Sequence, residues 1–188
     1  HLRDLSAGAL GLTPAALDAL LEQELPAEAD SDELVARGAP ADFLQGLVRD
    51  HHLSPTQRFR VRPRCRHVIA ENQRVLDSMA ALKADDAAHL GALMDAAHAS
   101  MSRDYEASCA ELDLLAGLLR QTPGILGARV TGAGWGGCVV ALAQEGADAG
   151  LNERIGPRYR ESTGRELRTF LCRPSAGAGL FASLGTGG

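Results

Sequence analysis

Aromatic residues are scarce in this sequence. They make up 4% of its 188 residues, although hydrophobic residues reach 45%. A core of this chain must therefore be built mostly from alanine, leucine and valine. The length suits one domain with a substantial core, with room for an appended arm.

Paired cysteines are absent as well. Cys65, Cys109, Cys138 and Cys172 stand singly, without a C-x-x-C pair, so the spacing predicts neither a zinc site nor a disulfide framework. Cys65 with His67 forms one close Cys/His pair, which offers too few ligands to hold a metal. Single thiols are typical of a reducing compartment, and we expect a cytoplasmic protein.

The sequence also lacks a long apolar run and an excess of basic charge. No stretch reaches membrane-spanning length and no signal-peptide pattern appears, so we expect no membrane partner. With 19 basic against 24 acidic residues, the net charge of −5 argues against a nucleic-acid partner. One local basic run is best explained by a solvated helix start or strand edge; it comprises Arg58, Arg60, Arg62, Arg64 and Arg66.

Glycine, in contrast, is concentrated at one place. Four glycines lie between Thr131 and Cys138, flanked by the apolar runs Ala128 to Val130 and Cys138 to Ala143. This pattern predicts a strand, a glycine loop and a second strand. Such a loop can present backbone N–H groups to a phosphate, or it can be a hairpin connection without a ligand. Both interpretations stay open on composition alone.

Two known phosphate loops are disfavoured by the residues that follow the glycines. A Walker A loop requires a lysine directly after its last glycine, and none follows Gly137. A dinucleotide-binding loop would open a helix there, whereas Cys138, Val139 and Val140 favour a strand.

The remainder of the chain alternates between predicted helices and loops. Apolar spacing predicts amphipathic helices over Arg64 to Lys83 and Asp86 to Met101, packed as an antiparallel pair. His98 lies beside the apolar stripe of the second helix and is expected to be a hydrogen-bonded boundary residue. The other predicted elements are a helix capped at Thr13, short helices at Asp32 to Arg37 and Phe43 to Val48, a helix opened by a Ser108 to Glu111 capping box, a helix from Asp148 to Thr163, and a third strand from Glu166 to Cys172.

This order of elements describes an α+β domain with a mainly antiparallel sheet. Five ordered stretches then resemble the C-terminal half of galactokinases, which belong to the GHMP kinase family named for galactokinase, homoserine kinase, mevalonate kinase and phosphomevalonate kinase. The resemblance spans about Leu53 to Phe181. The stretches are Arg66-His-Val-Ile-Ala-Glu71 with Arg74-Val75-Leu76, Leu90-Gly-Ala-Leu-Met94 with His98 and Ser100, Asp104 to Asp113, the loop from Thr131 to Cys138, and Cys172 to Gly179.

The resemblance implies a ferredoxin-like C-terminal lobe and a domain division. It implies an N-terminal helical and loop arm over residues 1–52, a GHMP kinase C-terminal domain over 53–181 and a flexible tail over 182–188. The first residue is His1 rather than methionine, and we expect the chain to be a piece of a longer polypeptide whose N-terminal kinase lobe is its missing partner.

The resemblance also implies an activity. Galactokinases transfer the γ-phosphate of ATP, with Mg²⁺, to the anomeric hydroxyl of galactose. Their sugar-binding and catalytic motifs belong to the N-terminal lobe, so no catalytic or metal-binding residue is expected in this chain, and half a cleft should be close to inactive. The implied nucleotide- and phosphate-proximal loop is Thr131, Gly132, Ala133, Gly134, Trp135, Gly136 and Gly137.

Departures from the family pattern keep alternatives open. Ala133 and Trp135 replace residues that are glycine and phenylalanine in many bacterial galactokinases, and they are closer to fungal, plant and N-acetylgalactosamine kinase versions. An N-acetylgalactosamine kinase and a non-catalytic module that senses sugar and nucleotide are therefore the alternatives. We expect Trp135 to be a packing anchor between lobes. We also expect an apolar surface around Trp135, Val130 and neighbouring helix faces to favour self-association.

Overall fold

The computed structural model describes residues 2–54 and 56–174. The chain divides into two compact units, His1–Ala147 and Asp148–Gly188. The first unit opens with a short 3₁₀ helix, Leu2–Asp4, and has a π-helical turn at Met101–Tyr105. Its other elements are α1 (Pro14–Glu24), α2 (Ser31–Ala36), α3 (Ala41–Asp50), α4 (Val61–Lys83), α5 (Ala87–Ser100), α6 (Ala110–Arg120), β1 (Ile125–Thr131) and β2 (Cys138–Ala143).

Local signals set the beginnings of the first two helices. The Thr13 hydroxyl accepts a hydrogen bond from the N–H of Ala16, and Pro14 takes the first helical position of α1, as predicted. A reciprocal capping box joins Asp30 and Glu33 at the start of α2. The predicted helices of this region are confirmed, and α1 contributes Leu17 and Leu21 to a small core shared with Ile69 of α4.

The basic run links this N-terminal region to α4. It does lie at a helix start, as predicted, but it is not merely solvated, because each of its five arginines is ion-paired. Arg62 bonds Glu22 of α1 at 2.9 Å and also donates to the carbonyl of Leu25, and Arg66 bonds Asp18 at 2.9 Å. Cations at a helix N-terminus oppose the helix dipole, so these acidic partners offset an unfavourable position.

Helices α4 and α5 form the predicted antiparallel pair, joined through Ala84 and Asp85. Only part of the apolar stripe of α4 is covered. Ile69 is buried, whereas the stripe beyond it is half or more exposed; the exposed residues are Val75, Leu76, Met79 and Leu82.

Strands β1 and β2 form the antiparallel hairpin predicted around the glycine loop, with Thr131 opposite Cys138 and Val130 opposite Val139. Helix α5 packs directly on the backbone of β1. A Cβ placed on Gly91 would lie 2.2 Å from the carbonyl oxygen of Leu126, and one on Gly127 would lie 2.0 Å from that of Gly91. The backbones of α5 and β1 can approach so closely only because both contacting residues are glycines, which have no Cβ.

Helix α6 is present where predicted, but its predicted capping box is wrong. The N-cap is Cys109, and no side chain caps the helix. The Ser108 hydroxyl instead donates to Asp113 Oδ1 at 2.6 Å. A tertiary hydrogen bond to a carboxylate has therefore replaced the local one, since charge-assisted hydrogen bonds are the stronger kind.

The second unit contains α7 (Leu151–Thr163), with Pro157 inside the helix. The helix predicted over Asp148 to Thr163 is confirmed. The third strand predicted over Glu166 to Cys172 is wrong, since residues 165–174 form no regular element and Phe170 and Leu171 are exposed. Alternation alone does not make a strand without a partner strand and a buried face. The predicted flexible tail, 182–188, lies outside the described residues.

The first unit thus has an α+β arrangement of helices and an antiparallel hairpin, as predicted. The proposed boundary between residues 1–52 and 53–181 stays a prediction.

Candidate functional site

The loop between β1 and β2 has an unusual backbone. Four of its glycines and one tryptophan have positive φ angles; they are Gly132 (83°), Gly134 (90°), Trp135 (53°), Gly136 (154°) and Gly137 (96°). Residues other than glycine rarely adopt such angles, so the glycine composition is explained by the turn itself. Successive residues of this kind form the concave arrangement of N–H groups that can hold an anion.

The tip of the loop is seated on the segment between the π-helical turn and α6. Trp135 donates twice, from its backbone N–H to the carbonyl of Ala107 at 3.0 Å and from its indole Nε1 to the carbonyl of Glu106 at 2.9 Å. A Cβ on Gly134 would lie 2.0 Å from the Ala107 carbonyl oxygen. Gly134 is therefore required both by its φ angle and by this close approach.

Charged side chains hold that seat in place. The carboxylate of Glu106 is paired with Arg60 through Oε1 and with Arg64 through Oε2, the latter at 2.8 Å. Arg64 also donates to the carbonyl of Asp104 and lies over the ring of Tyr105, with its Cζ 5.1 Å from the ring centroid. The Tyr105 ring in turn stacks on His67 at 4.6 Å between centroids.

A second network supports β1 just before the loop. The N–H of Val130 donates to His98 Nδ1 at 3.3 Å, and His98 Nε2 lies 3.2 Å from Asp113 Oδ1. Since Nδ1 accepts, the imidazole must be neutral with its proton on Nε2. Asp113 also accepts hydrogen bonds from Ser102 and Ser108. His98 is 2% exposed rather than at the boundary as predicted.

Burial lowers the pKa of His98, and the nearby Asp113 carboxylate opposes this effect. The pKa of His67 is lowered by burial in the same way. His67 Nδ1 lies 3.0 Å from the Ser100 hydroxyl, which donates to Asp104 at 2.9 Å. Because that hydroxyl proton is used on Asp104, Nδ1 of His67 is the donor to Ser100. His98 in its neutral form therefore links α5 to β1 and α6, and His67 links α4 to the end of α5.

The loop can offer donors but no charge. Within the described part of the chain, the N–H groups of Ala133, Gly134 and Gly136 donate to no protein acceptor. No residue from Thr131 to Gly137 is charged. The loop is thus suited to orienting a phosphate, while neutralisation of phosphate charge requires other groups.

A magnesium site does not fit the described part of this chain. Among residues 2–54 and 56–174, no group of three or more His, Cys, Asp or Glu side chains is arranged to hold a metal ion. The carboxylates near the loop, Glu106 and Asp113, are already engaged by arginines and hydroxyl groups.

The structure brings the predicted site residues together in one turn. Thr131 ends β1, and Gly132 to Gly137 form the tip. Trp135 is 66% exposed, so within this chain it does not act as a buried anchor. Val130 is fully buried, so the predicted apolar surface around Trp135 and Val130 is wrong as to Val130. The exposed face of α4 is the larger apolar surface.

Sequence reasoning missed the residues on which the loop rests. Glu106 has a left-handed backbone, with φ 58°, and Ala107 is fully buried. The sequence contained a partial indication of these residues, because the five alternating arginines of the basic run require acidic partners. Which of the 24 acidic residues would pair with them depends on the tertiary fold.

Comparison with known proteins places this geometry in a family. The family of GHMP kinases, C terminal, matches residues 78–154, which include α5, α6 and the whole hairpin. Residues 78–154 are therefore similar to a GHMP kinase C-terminal domain. Within that matched region the glycine loop joins the two strands of the hairpin.

The similarity extends to proteins named galactokinase. A galactokinase of Roseiflexus sp. (strain RS-1) is 40% identical over 119 residues, which are 63% of this chain and 30% of that protein. A galactokinase of Haemophilus influenzae (strain PittEE) is 43% identical over 115 residues, or 61% of this chain and 30% of that protein. The resemblance to the C-terminal part of galactokinases is confirmed.

A solved structure agrees with the GHMP fold. The crystal structure of Lactococcus lactis galactokinase complexed with galactose matches with a TM-score of 0.54 and 38% identity, over 56% of this chain and 27% of that chain. The chain thus spans about 30% of the length of the curated relatives that it matches.

No helix among the described residues is both long enough and apolar enough to cross a membrane.

Proposed function

We propose that this chain is the C-terminal part of a galactokinase-type sugar 1-kinase, which transfers the γ-phosphate of ATP to the anomeric hydroxyl of galactose. The observation that carries the proposal is 40% identity over 119 residues to a protein named galactokinase. The GHMP kinase family match over residues 78–154, which includes the glycine loop, supports it. The galactose complex of the Lactococcus lactis protein supports the same sugar class.

In this proposal the loop Thr131 to Gly137 lies beside the nucleotide phosphates. Its free N–H groups orient the phosphate oxygens, and the seat on Glu106 and Ala107 keeps those donors in a fixed arrangement. Fixed donors need no reorganisation during phosphoryl transfer, which depends mainly on positioning and on charge stabilisation.

The remaining parts of the reaction belong to the N-terminal kinase lobe, the proposed partner of this domain. That lobe supplies the sugar site, the residue that accepts the hydroxyl proton and the ligands of Mg²⁺. Half of a two-lobed cleft provides neither proximity nor charge neutralisation, so the chain alone has little activity. The exposed indole of Trp135 lies on the same loop and is a contact for the partner lobe.

The test is an ATP-dependent phosphorylation assay on the native polypeptide that carries this sequence, with galactose and N-acetylgalactosamine as separate substrates. The proposal predicts galactose 1-phosphate as the main product. Turnover of N-acetylgalactosamine alone would assign the other sugar, and a folded polypeptide that binds ATP without phosphorylating either hexose would contradict a kinase function.

A further inference from the structure

The tip of the glycine loop depends on very few contacts. Outside the β1–β2 ladder, residues 132–137 make two hydrogen bonds within the described part of the chain, both donated by Trp135. The acceptors are the carbonyls of Glu106 and Ala107. The position of the tip is therefore set by the backbone of these two consecutive residues.

Glu106 has a backbone conformation that needs outside support. It follows the π-helical turn with φ 58° and ψ 38°, a left-handed conformation that is strained for a residue with a Cβ. Both oxygens of its carboxylate are ion-paired, Oε1 with Arg60 and Oε2 with Arg64. The carbonyl that accepts the hydrogen bond from the indole and the carboxylate that pairs with the two arginines thus both belong to Glu106.

We infer that Glu106 is a positioning residue for the glycine loop. The Arg60 and Arg64 ion pairs hold Glu106 in its left-handed conformation, and this conformation directs its carbonyl at the Trp135 indole. Arg60 Nε also lies 3.9 Å from Glu28. The position of the loop is consequently linked to Glu28 of the N-terminal region through Arg60, and to Arg64 of α4.

The consequence for catalysis rests on the proposed function, because it requires that the loop orient a phosphate. The link between Glu106 and Trp135 does not, and it can be measured without nucleotide. Trp135 is the single tryptophan of the chain, so the one indole N–H resonance in a ¹H–¹⁵N correlation spectrum reports on this contact alone.

The experiment measures exchange of that indole N–H with solvent in the unmodified chain, in Glu106→Gln and in Glu22→Gln. The control Glu22→Gln also loses exposed ion pairs to the start of α4, those of Arg62 and Arg66, but Glu22 contacts no part of the loop. We expect indole exchange to be about fivefold faster in Glu106→Gln, which corresponds to about 1 kcal/mol for one hydrogen bond. Glu22→Gln should match the unmodified chain.

Salt provides a second readout that a merely structural role would not produce. Exposed ion pairs are screened by added salt, so sodium chloride should accelerate indole exchange in the unmodified chain and in Glu22→Gln, but not in Glu106→Gln. If Glu106→Gln does not fold, Arg60→Gln and Arg64→Gln replace it as test variants, because each removes one ion pair of Glu106. Equal exchange rates and equal salt dependence in all folded variants would overturn the inference.

Discussion

At the scale of the residue, the histidines show how burial decides chemistry. Nδ1 of His98 can accept the N–H of Val130 only when the imidazole is neutral, while Nε2 donates to Asp113, and the 2% exposure of His98 disfavours a charge. The charged groups around it come from three elements, namely Asp95 of α5, Asp113 and Arg120 of α6, and Arg129 of β1. The protein therefore holds this side chain neutral at a pH where the unfolded chain begins to protonate it.

This arrangement predicts a pH dependence of stability. The pKa of His98 is lowered in the folded chain, so the unfolded chain binds more protons and the free energy of unfolding falls as pH drops below the unfolded value of about 6.5. The fall is at most about 1.4 kcal/mol per pH unit for one histidine. His67 adds an effect of the same sign.

Urea unfolding between about pH 7.5 and 5.5 measures this slope. His98→Gln should reduce it by about one proton, because glutamine does not titrate. His89→Gln is the matched control, since His89 lies on the same helix but is exposed. An identical pH slope in the two variants would show that His98 does not contribute to the acid sensitivity.

At the scale of the element, the hairpin loop combines two separate requirements for glycine. Gly132 and Gly134 have nearly equal φ angles, 83° and 90°. A Cβ on Gly132 would meet nothing within 4 Å, whereas one on Gly134 would meet the Ala107 carbonyl. Comparing Gly132 with Gly134 therefore separates the cost of the left-handed backbone from the cost of a clash with the Ala107 carbonyl.

Alanine at these two positions should have different effects. We expect Gly132→Ala to cost about 1 kcal/mol of unfolding free energy for the left-handed conformation alone. Gly134→Ala should cost about 2–4 kcal/mol, because the clash with a backbone atom is added. Urea denaturation gives both values, and equal losses would mean that the loop is not seated on Ala107.

The elements of the fold differ in how far the sequence could predict them. The glycine cluster and its flanking apolar runs predicted the hairpin, and Thr13-Pro14 predicted the start of α1, because these signals are local. The capping box at Ser108 and the strand from Glu166 to Cys172 failed, because tertiary partners decided both. The seat at Glu106 and Ala107 joins residues far apart in sequence and left no local signal.

At the scale of the whole molecule, the chain spans about 30% of the length of the relatives that it matches. Its glycine loop offers backbone N–H donors without charged side chains. The exposed face of α4 contributes little to the stability of this chain, since its apolar side chains are half or more exposed. The role that we propose for this chain in catalysis is to position the loop.

The measurement that tests this account most directly is amide hydrogen exchange of the 131–137 peptide in the native polypeptide, with and without ATP and Mg²⁺. The account predicts that ATP slows exchange in this peptide, because phosphate oxygens accept from its free N–H groups, and leaves the α1 peptide Pro14–Glu24 unchanged. If calorimetry shows that ATP is bound while exchange in the loop stays the same, the loop does not lie beside the phosphates and the proposed role is wrong.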